Sequence, residues 1–421
     1  MRSAQNGGRD RAPRASHRAL GCRNERRSGA VHDRMLPRRL ATFIASILVA
    51  LPLLASPLQK EMHEVERIRG LSFLHDVDTI AIDRDALPSM LRNQMEKELA
   101  YSWDDYIVVL RALHLVDPST HDVQGALIDL LDQQVLAFYD PDRHVYYSIK
   151  QPPAGLPALP KEMPFDEAVT VHELTHAMQD QRFDLGKKDK ALRNDTDAGM
   201  ALHSVAEGEA TLVMLAEMSS SLGVTVDQIA SNDAMLNAMS AASATMTTGV
   251  GTPHYFVESL AFPYMAGLKF VAAAYRKGGW EAVNKIYSSP PQSTREILHP
   301  DEYLAGKRTP NAYDARPPFP IREHVLTVEH LGEFHWGFLV GPDNARGWKG
   351  DRVTIAQDAF CEPTVLVETK WDSPEAANAF REAYVKFLTK EKVDARFTTR
   401  GNEVDAAYGA DDALIERFMT R

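Results

Sequence analysis

Val171-His172-Glu173-Leu174-Thr175-His176 decides how the rest of the chain is read. Two histidines four residues apart on a helix project side by side from one face, close enough to share a single zinc ion. Glu173 stands next to the first of them, where it can take a proton from a water that the ion activates. The surrounding residues support a helix from about Asp166 to Leu185, ended by Gly186. At 100° per residue, Val171, Leu174, Met178 and Leu185 fall within about 60° of one another, a stripe suited to burial. His172 and His176 fall within about 40° of each other on a different side. The stripe can therefore enter a core while both imidazoles face a cleft. Asp180, one turn past His176, could orient a ligand imidazole or stand as a solvated carboxylate.

A catalytic zinc usually takes three protein ligands and leaves a fourth position for water. The next helix, from about Ala198 to Glu217, offers two carboxylates around Gly208. Glu209 shares its side with Val205, Leu212 and Ala216. Glu207 lies opposite, with Met200, His203, Thr211 and Met214. A carboxylate among apolar residues is costly unless it binds something, so the wheel does not choose between them. His203 is a further candidate on the Glu207 face. The order of preference is Glu207, Glu209, His203. Gly208 and Ala210 keep this turn small, as a close approach to the first helix requires.

Upstream, residues 60–135 read as helices: Leu87 to Leu99, Trp103 to Leu113 and Val123 to Leu136. Two aromatic and β-branched runs, Val135–Tyr139 and His144–Ile149, flank Asp140-Pro141-Asp142-Arg143 and predict a β-hairpin. A strand near 144–149 at a sheet edge facing the cleft could pair with an extended peptide. Gln151 to Pro164 holds five prolines and reads as a loop.

Downstream, Phe262-Pro263-Tyr264 opens a helix through Ala274 that stops at Gly278-Gly279, followed by a short helix from Trp280 to Tyr287. Ser293 and Glu296 read as a capping box. Tyr264, His254, Tyr255 and His299 qualify by residue type as donors to a developing oxyanion. Beyond about residue 320 the pattern becomes a small α+β unit. Strands are expected at 351–356 and 364–371, a helix from Ser373 to Leu388 capped by Asp372, and a strand pair within 396–407.

The 421 residues suffice for two to three domains, and 44% hydrophobic with 25% charged residues is a globular composition. Residues 1–55 hold 11 arginines against three acids, so the −11 of the whole chain becomes −19 in the remainder. An acidic body argues against nucleic-acid binding. Cys22 lies near the start and leaves Cys361 alone in the body as an expected buried thiol. This excludes a four-cysteine zinc site and a cysteine-pair redox site. Met35-Leu36-Pro37-Arg38-Arg39 followed by the apolar run Leu40–Ala55 reads as a signal peptide, with Met35 the true start and residues 1–34 an extension. No later segment reads as a membrane span. The body is expected to be exported.

His172-Glu-Leu-Thr-His176 with Glu207-Gly208 downstream resembles the gluzincin kind of zincin metallopeptidase. In that family two histidines and a downstream glutamate hold zinc, and the motif glutamate is the general base. The longer run Val171–Phe183 is similar to a group of largely uncharacterised exported bacterial proteins. Tyr139-Asp140-Pro141, Pro290–Thr294 and Leu298-His299-Pro300 also look like that group, so the resemblance covers most of residues 85–390. Thirty residues separate His176 from Glu207, more than in thermolysin-like enzymes. Thr211 stands where those enzymes carry an aspartate behind the ligands.

The resemblance implies a Zn²⁺ cofactor held by His172, His176 and Glu207, with Glu173 catalytic and a peptide or protein as substrate. The expected fold is α+β, predominantly helical, with a zincin-like core, a short sheet and a C-terminal α+β unit. The expected organisation is extension 1–34, signal peptide 35–56, helical region 57–135, catalytic domain 136–320 and C-terminal region 321–421. Two other functions fit the same residues: a zinc-binding cell-envelope assembly or adhesion protein without peptidase activity, or a zinc hydrolase of another amide or ester. Whether residues 57–135 are an inhibitory prosegment, and the oligomeric state, stay open.

Overall fold

Helix formation around the motif follows its buried stripe. In the computed structural model, which describes residues 58–98, 102–152, 165–192, 195–238 and 252–421, Val171, Leu174 and Met178 are all buried in one apolar core. The signal-peptide and extension readings, and most of the proline-rich loop, lie outside the described residues.

The N-terminal half runs α1 (Gln59–Arg69), β1 (Asp78–Ile82), α2 (Leu87–Glu98), α3 (Trp103–Ala112), α4 (Val123–Gln134), β2 (Ala137–Asp140) and β3 (Val145–Ile149). The motif helix α5 (Phe165–Phe183), α6 (Leu185–Ala191), α7 (Thr196–Ser220), α8 (Val226–Ala230) and α9 (His254–Ser288) follow. Then come α10 (Thr294–Leu298), α11 (Pro300–Leu304), β4 (His324–Glu329), α12 (Gly332–Val340), α13 (Pro342–Ala345), β5 (Trp348–Gln357) and β6 (Pro363–Trp371). The chain closes with α14 (Pro374–Lys390), β7 (Ala395–Arg400), β8 (Glu403–Gly409) and α15 (Asp412–Met419). The class is mixed α+β with two sheets, as expected at that level.

Three helices make the inner layer. α7 is buried on nearly every side, which its small and apolar residues permit, and its first turn is capped by Asp195 accepting from Ala198 N–H. α5 packs on one flank and α9 on the other. The close approach made possible by Gly208 is to α9 rather than, as expected, to α5. A Cβ at Gly208 would stand 2.1 Å from the Gly267 carbonyl carbon, and one at Gly267 would stand 1.9 Å from Ser204 O. α9 begins at His254, carries Pro263 inside it, and breaks at Gly278-Gly279 as the glycine pair predicts. Contrary to expectation, α9 is long and apolar enough to cross a membrane; 56% of its most apolar stretch is buried inside the protein, as befits a core helix.

The first sheet corrects two readings. Residues 60–135 are not all helical, because β1 pairs in parallel with β3. The strand order is β1-β3-β2, so Val145–Ile149 is the central strand and β2 is the edge against α5. The β2–β3 hairpin itself is as read, its turn closed by Asp140 Oδ1 accepting from Asp142 and Arg143 N–H.

Two turn readings also shift. α5 ends at Phe183 through Asp184 at φ 52°, and Gly186 sits inside α6. Ser293 donates to Thr309 O and Glu296 accepts from Gln292 and Thr309 N–H, so no capping box forms there; Thr225 and Gln228 form one at α8.

The second sheet is antiparallel, β4-β5-β6-β8-β7. β5, β6 and the β7–β8 pair were legible; β4 was not. Period-two alternation divides its faces: Val365 and Val367 join Trp336, Phe380 and Tyr384, while Leu366 joins Leu414 and Phe418 of α15. Ser373, not Asp372, caps α14 by accepting from Ala376 N–H. α2, α3 and α4 share the core of this sheet rather than that of α5 and α7, and Tyr408 OH donates to Ala112 O across the join. Cys361 is partly exposed at φ 64° and is not the free buried thiol expected.

Candidate metal centre

α5 and α7 bring three side chains to one point. His172 Nε2 lies 3.2 Å from His176 Nε2 and 3.2 Å from Glu207 Oε2, and His176 Nε2 lies 3.4 Å from the same oxygen. Among the described residues this is the one cluster of histidine, cysteine and carboxylate ligand atoms able to hold a metal ion. A tetrahedral ion with ligands at about 2.0–2.1 Å spaces them about 3.3 Å apart. The observed separations match that edge length. The donor set, two imidazole nitrogens and a carboxylate oxygen, is one zinc uses in open sites.

The competing third ligands are occupied elsewhere. Glu209 is buried on the other side of α7, where it pairs with Arg69 and accepts from Tyr287 OH at 2.6 Å. Arg69 in turn donates to Asn284 and lies over the Trp280 ring at 4.2 Å. His203 Nε2 contacts Asp189 Oδ1 at 3.0 Å. Glu207 alone of the three candidates reaches the two histidines.

Glu173 is half-buried beside this cluster, and Tyr139 N–H on β2 donates to its Oε2 at 3.0 Å. Burial raises the Glu173 pKa; the two histidines pull it down and Glu207 pushes it up. Burial also opposes charge on Glu207, yet His176 and His172 carry its pKa well below the usual carboxylate range. For His176, burial works against the charged ring and the neighbouring Glu207 outweighs it, raising the pKa to about 9. The two carboxylates are thus driven apart, one held anionic and one with increased affinity for a proton.

Of the four residues suggested as oxyanion donors, only Tyr264 is here. Its ring lies parallel to that of His172, with centroids 6.0 Å apart, and it is 38% exposed. Burial, Glu207 and Glu173 all raise its pKa, which keeps the phenol protonated. Tyr264 reaches this position because it stands one turn before Gly267, at the crossing with Gly208 and hence Glu207. The others have different partners: Tyr255 with His335, His299 with Glu333, and the exposed His254 with Glu258.

Asp180 does not orient a ligand. It accepts from Tyr139 OH and Gly186 N–H and contacts His144 Nδ1. Gln179, passed over in the sequence, contacts His176 Nδ1 at 2.9 Å. Its spacing, three residues after His176, was the available signal. His172 Nδ1 and Thr211 Oγ1 are both buried without a hydrogen-bond partner among the described residues.

Comparison with known proteins adds one finding. A family model described as a domain of unknown function (DUF8575) matches residues 333–417, which run from α12 through β5 to β8 and into α15 and leave out β4. No curated protein and no solved structure matches the chain.

Proposed function

We propose that the chain is an exported zinc-dependent metallopeptidase with a zincin-like core, His172, His176 and Glu207 holding the metal. The observation that carries this reading is the convergence of those three ligand atoms at tetrahedral spacing, with Glu173 alongside. Zinc held there would supply Lewis acidity, able to polarise a carbonyl and acidify water. Glu173, its carboxylate fixed by Tyr139 N–H, accepts the proton of the attacking water and passes it to the departing amine. Tyr264 OH donates to the oxygen that gains charge as the carbonyl is attacked.

The edge strand suited to a peptide is β2. N–H and C=O of alternate residues point to the same side of a strand, so Ala137 and Tyr139 turn theirs toward α5 and the site. An extended substrate running beside β2 would bring its scissile carbonyl to Glu173. Export rests on the Met35–Ala55 segment.

Purified protein is expected to hold about one zinc per chain by elemental analysis, reduced in His172→Ala. Glu173→Gln should keep the zinc and lose hydrolysis of a peptide library. Hydrolysis that persists in that variant would sink the mechanism. Zinc binding with no peptide cleaved in wild type would favour a non-catalytic envelope protein, and cleavage of esters or other amides a different hydrolase.

A further inference from the structure

Gln179 is fully buried and makes two hydrogen bonds that join the two helices of the site. Its Nε2 donates to Ala206 O on α7 at 3.0 Å, and its Oε1 meets His176 Nδ1 at 2.9 Å. A backbone carbonyl can only accept, so the amide must turn its NH₂ toward Ala206 and its oxygen toward the imidazole. An amide oxygen can only accept as well, so Nδ1 of His176 must carry a proton. In the neutral ring Nε2 is then a bare lone pair, and Nε2 is the atom that faces His172 and Glu207. Ala206 immediately precedes Glu207. One amide therefore fixes both the tautomer of a ligand on α5 and its distance from the ligand on α7. Among the described residues His172 has no counterpart, since its Nδ1 is buried without a partner there.

We propose that Gln179 is the positioning residue of this centre: it sets the Nδ1–H tautomer of His176 and holds that ring at ligand distance from Glu207, so that capture of a divalent, nitrogen- and oxygen-preferring metal depends on it. The proposal rests on the reading of His172, His176 and Glu207 as metal ligands. A neutral imidazole with the opposite tautomer would direct an N–H at the metal position, and its proton would have to move from Nε2 to Nδ1 before binding.

Gln179→Met keeps the length and volume of the side chain and removes both bonds. Zinc affinity, measured by competition with a chromophoric chelator, is expected to fall about 10–100-fold, the usual effect of losing a group that orients a ligand. In metal-free wild type, long-range ¹H–¹⁵N spectra at a pH where the ring is neutral should show His176 as the Nδ1–H tautomer. In Gln179→Met that preference should be lost, whereas a role limited to packing would leave it in place. A Gln179→Met protein with wild-type affinity and tautomer would overturn the proposal. So would an Nε2–H tautomer in wild type, a test that needs no variant to fold. Wild type that takes up no zinc would instead overturn the metal reading beneath it.

Discussion

Glu207 and Glu209 stand two residues apart on α7, and their partners divide their roles. Glu207 Oε2 meets both histidines, while Glu209 neutralises Arg69 on the far side. Glu207→Ala should lower zinc content with the fold retained. Glu209→Ala should leave zinc content unchanged in folded protein but lower the urea midpoint, because an unpaired buried arginine costs about 3–5 kcal/mol. If the Glu209 variant lost the metal and the Glu207 variant kept it, the ligand assignment would be reversed. Tyr264→Phe should retain zinc and lose about 10²-fold in kcat, as removal of an oxyanion donor does; an unchanged kcat would remove Tyr264 from the chemistry. That the His172 and His176 rings come together could be read directly, because four-residue spacing puts them on one face. The choice of Glu207 was not decidable locally. Both glutamates have apolar neighbours on the wheel, and the deciding partner of Glu209 comes from 140 residues upstream. Asp180 misled for a similar reason: a carboxylate one turn past a ligand looks apt until Tyr139 and the Gly186 N–H are seen to occupy it.

Elements were legible where a pattern was local and illegible where it depended on remote partners. The buried stripe gave α5, the glycine pair gave the break in α9, and alternation gave β5 and β6. Strand order was not available in that way. Val145–Ile149 alternates in a manner that suits an edge or a centre, and what makes it central is β1, brought alongside through α2, α3 and α4. The partner of Gly208 was hidden likewise, because a small residue announces a close approach without naming the element that approaches. That crossing makes a prediction in which two effects compete. Alanine on a helix is favoured over glycine by about 1 kcal/mol. At position 208, however, its Cβ would stand 2.1 Å from the backbone of α9, and overpacking of this kind costs about 1–3 kcal/mol. The obstructing atoms are backbone and cannot rotate away, so overpacking should win. Gly208→Ala is expected to lower the urea midpoint and, by displacing the neighbouring Glu207, to weaken zinc binding. A raised midpoint would show that the helices separate freely and that the crossing does not fix the site.

At the scale of the molecule, the N-terminus of α7, the helix that carries Glu207, is fastened to the C-terminal region through acids. Asp197 accepts from Thr294 N–H and Oγ–H and fills the space beside Gly332, where a Cβ would lie 1.8 Å from its Oδ1. Asp195 meets His330 at 3.1 Å, and Asp351 accepts from Leu331 and Gly332 N–H and from the Trp348 indole. The region matched by the domain of unknown function, 333–417, contains none of His172, His176 and Glu207 but includes Asp351 of this seam. Burial raises the Asp197 pKa well above its ordinary value, with Asp195 and Asp351 adding to it, and raises that of Asp351. Burial opposes charge on His330, and Asp195 outweighs it to raise the pKa. Outside the seam, burial lifts Asp140 to about 6. A histidine raised on folding contributes stability below its unfolded value of about 6.5 and loses it as pH climbs through the folded one. An acid raised on folding acts in the same sense, since the folded state then binds more protons and is favoured as pH falls. His176 at about 9 adds to the slope in metal-free protein, while Glu207 titrates far below the interval. Only below about 6.5 does His114, lowered by its burial, begin to oppose. The thermal midpoint of metal-free protein should therefore rise as pH is lowered from about 8.5 to about 6.5, the window these shifts define. Metal-free protein is specified because zinc binding has its own proton linkage. Asp197→Asn keeps the shape and removes the titrating carboxyl, so its midpoint should rise less steeply than that of wild type as pH falls. A midpoint that is flat or falls toward pH 6.5, with Asp197→Asn parallel to wild type throughout, would show that the seam carries no proton-linked stability.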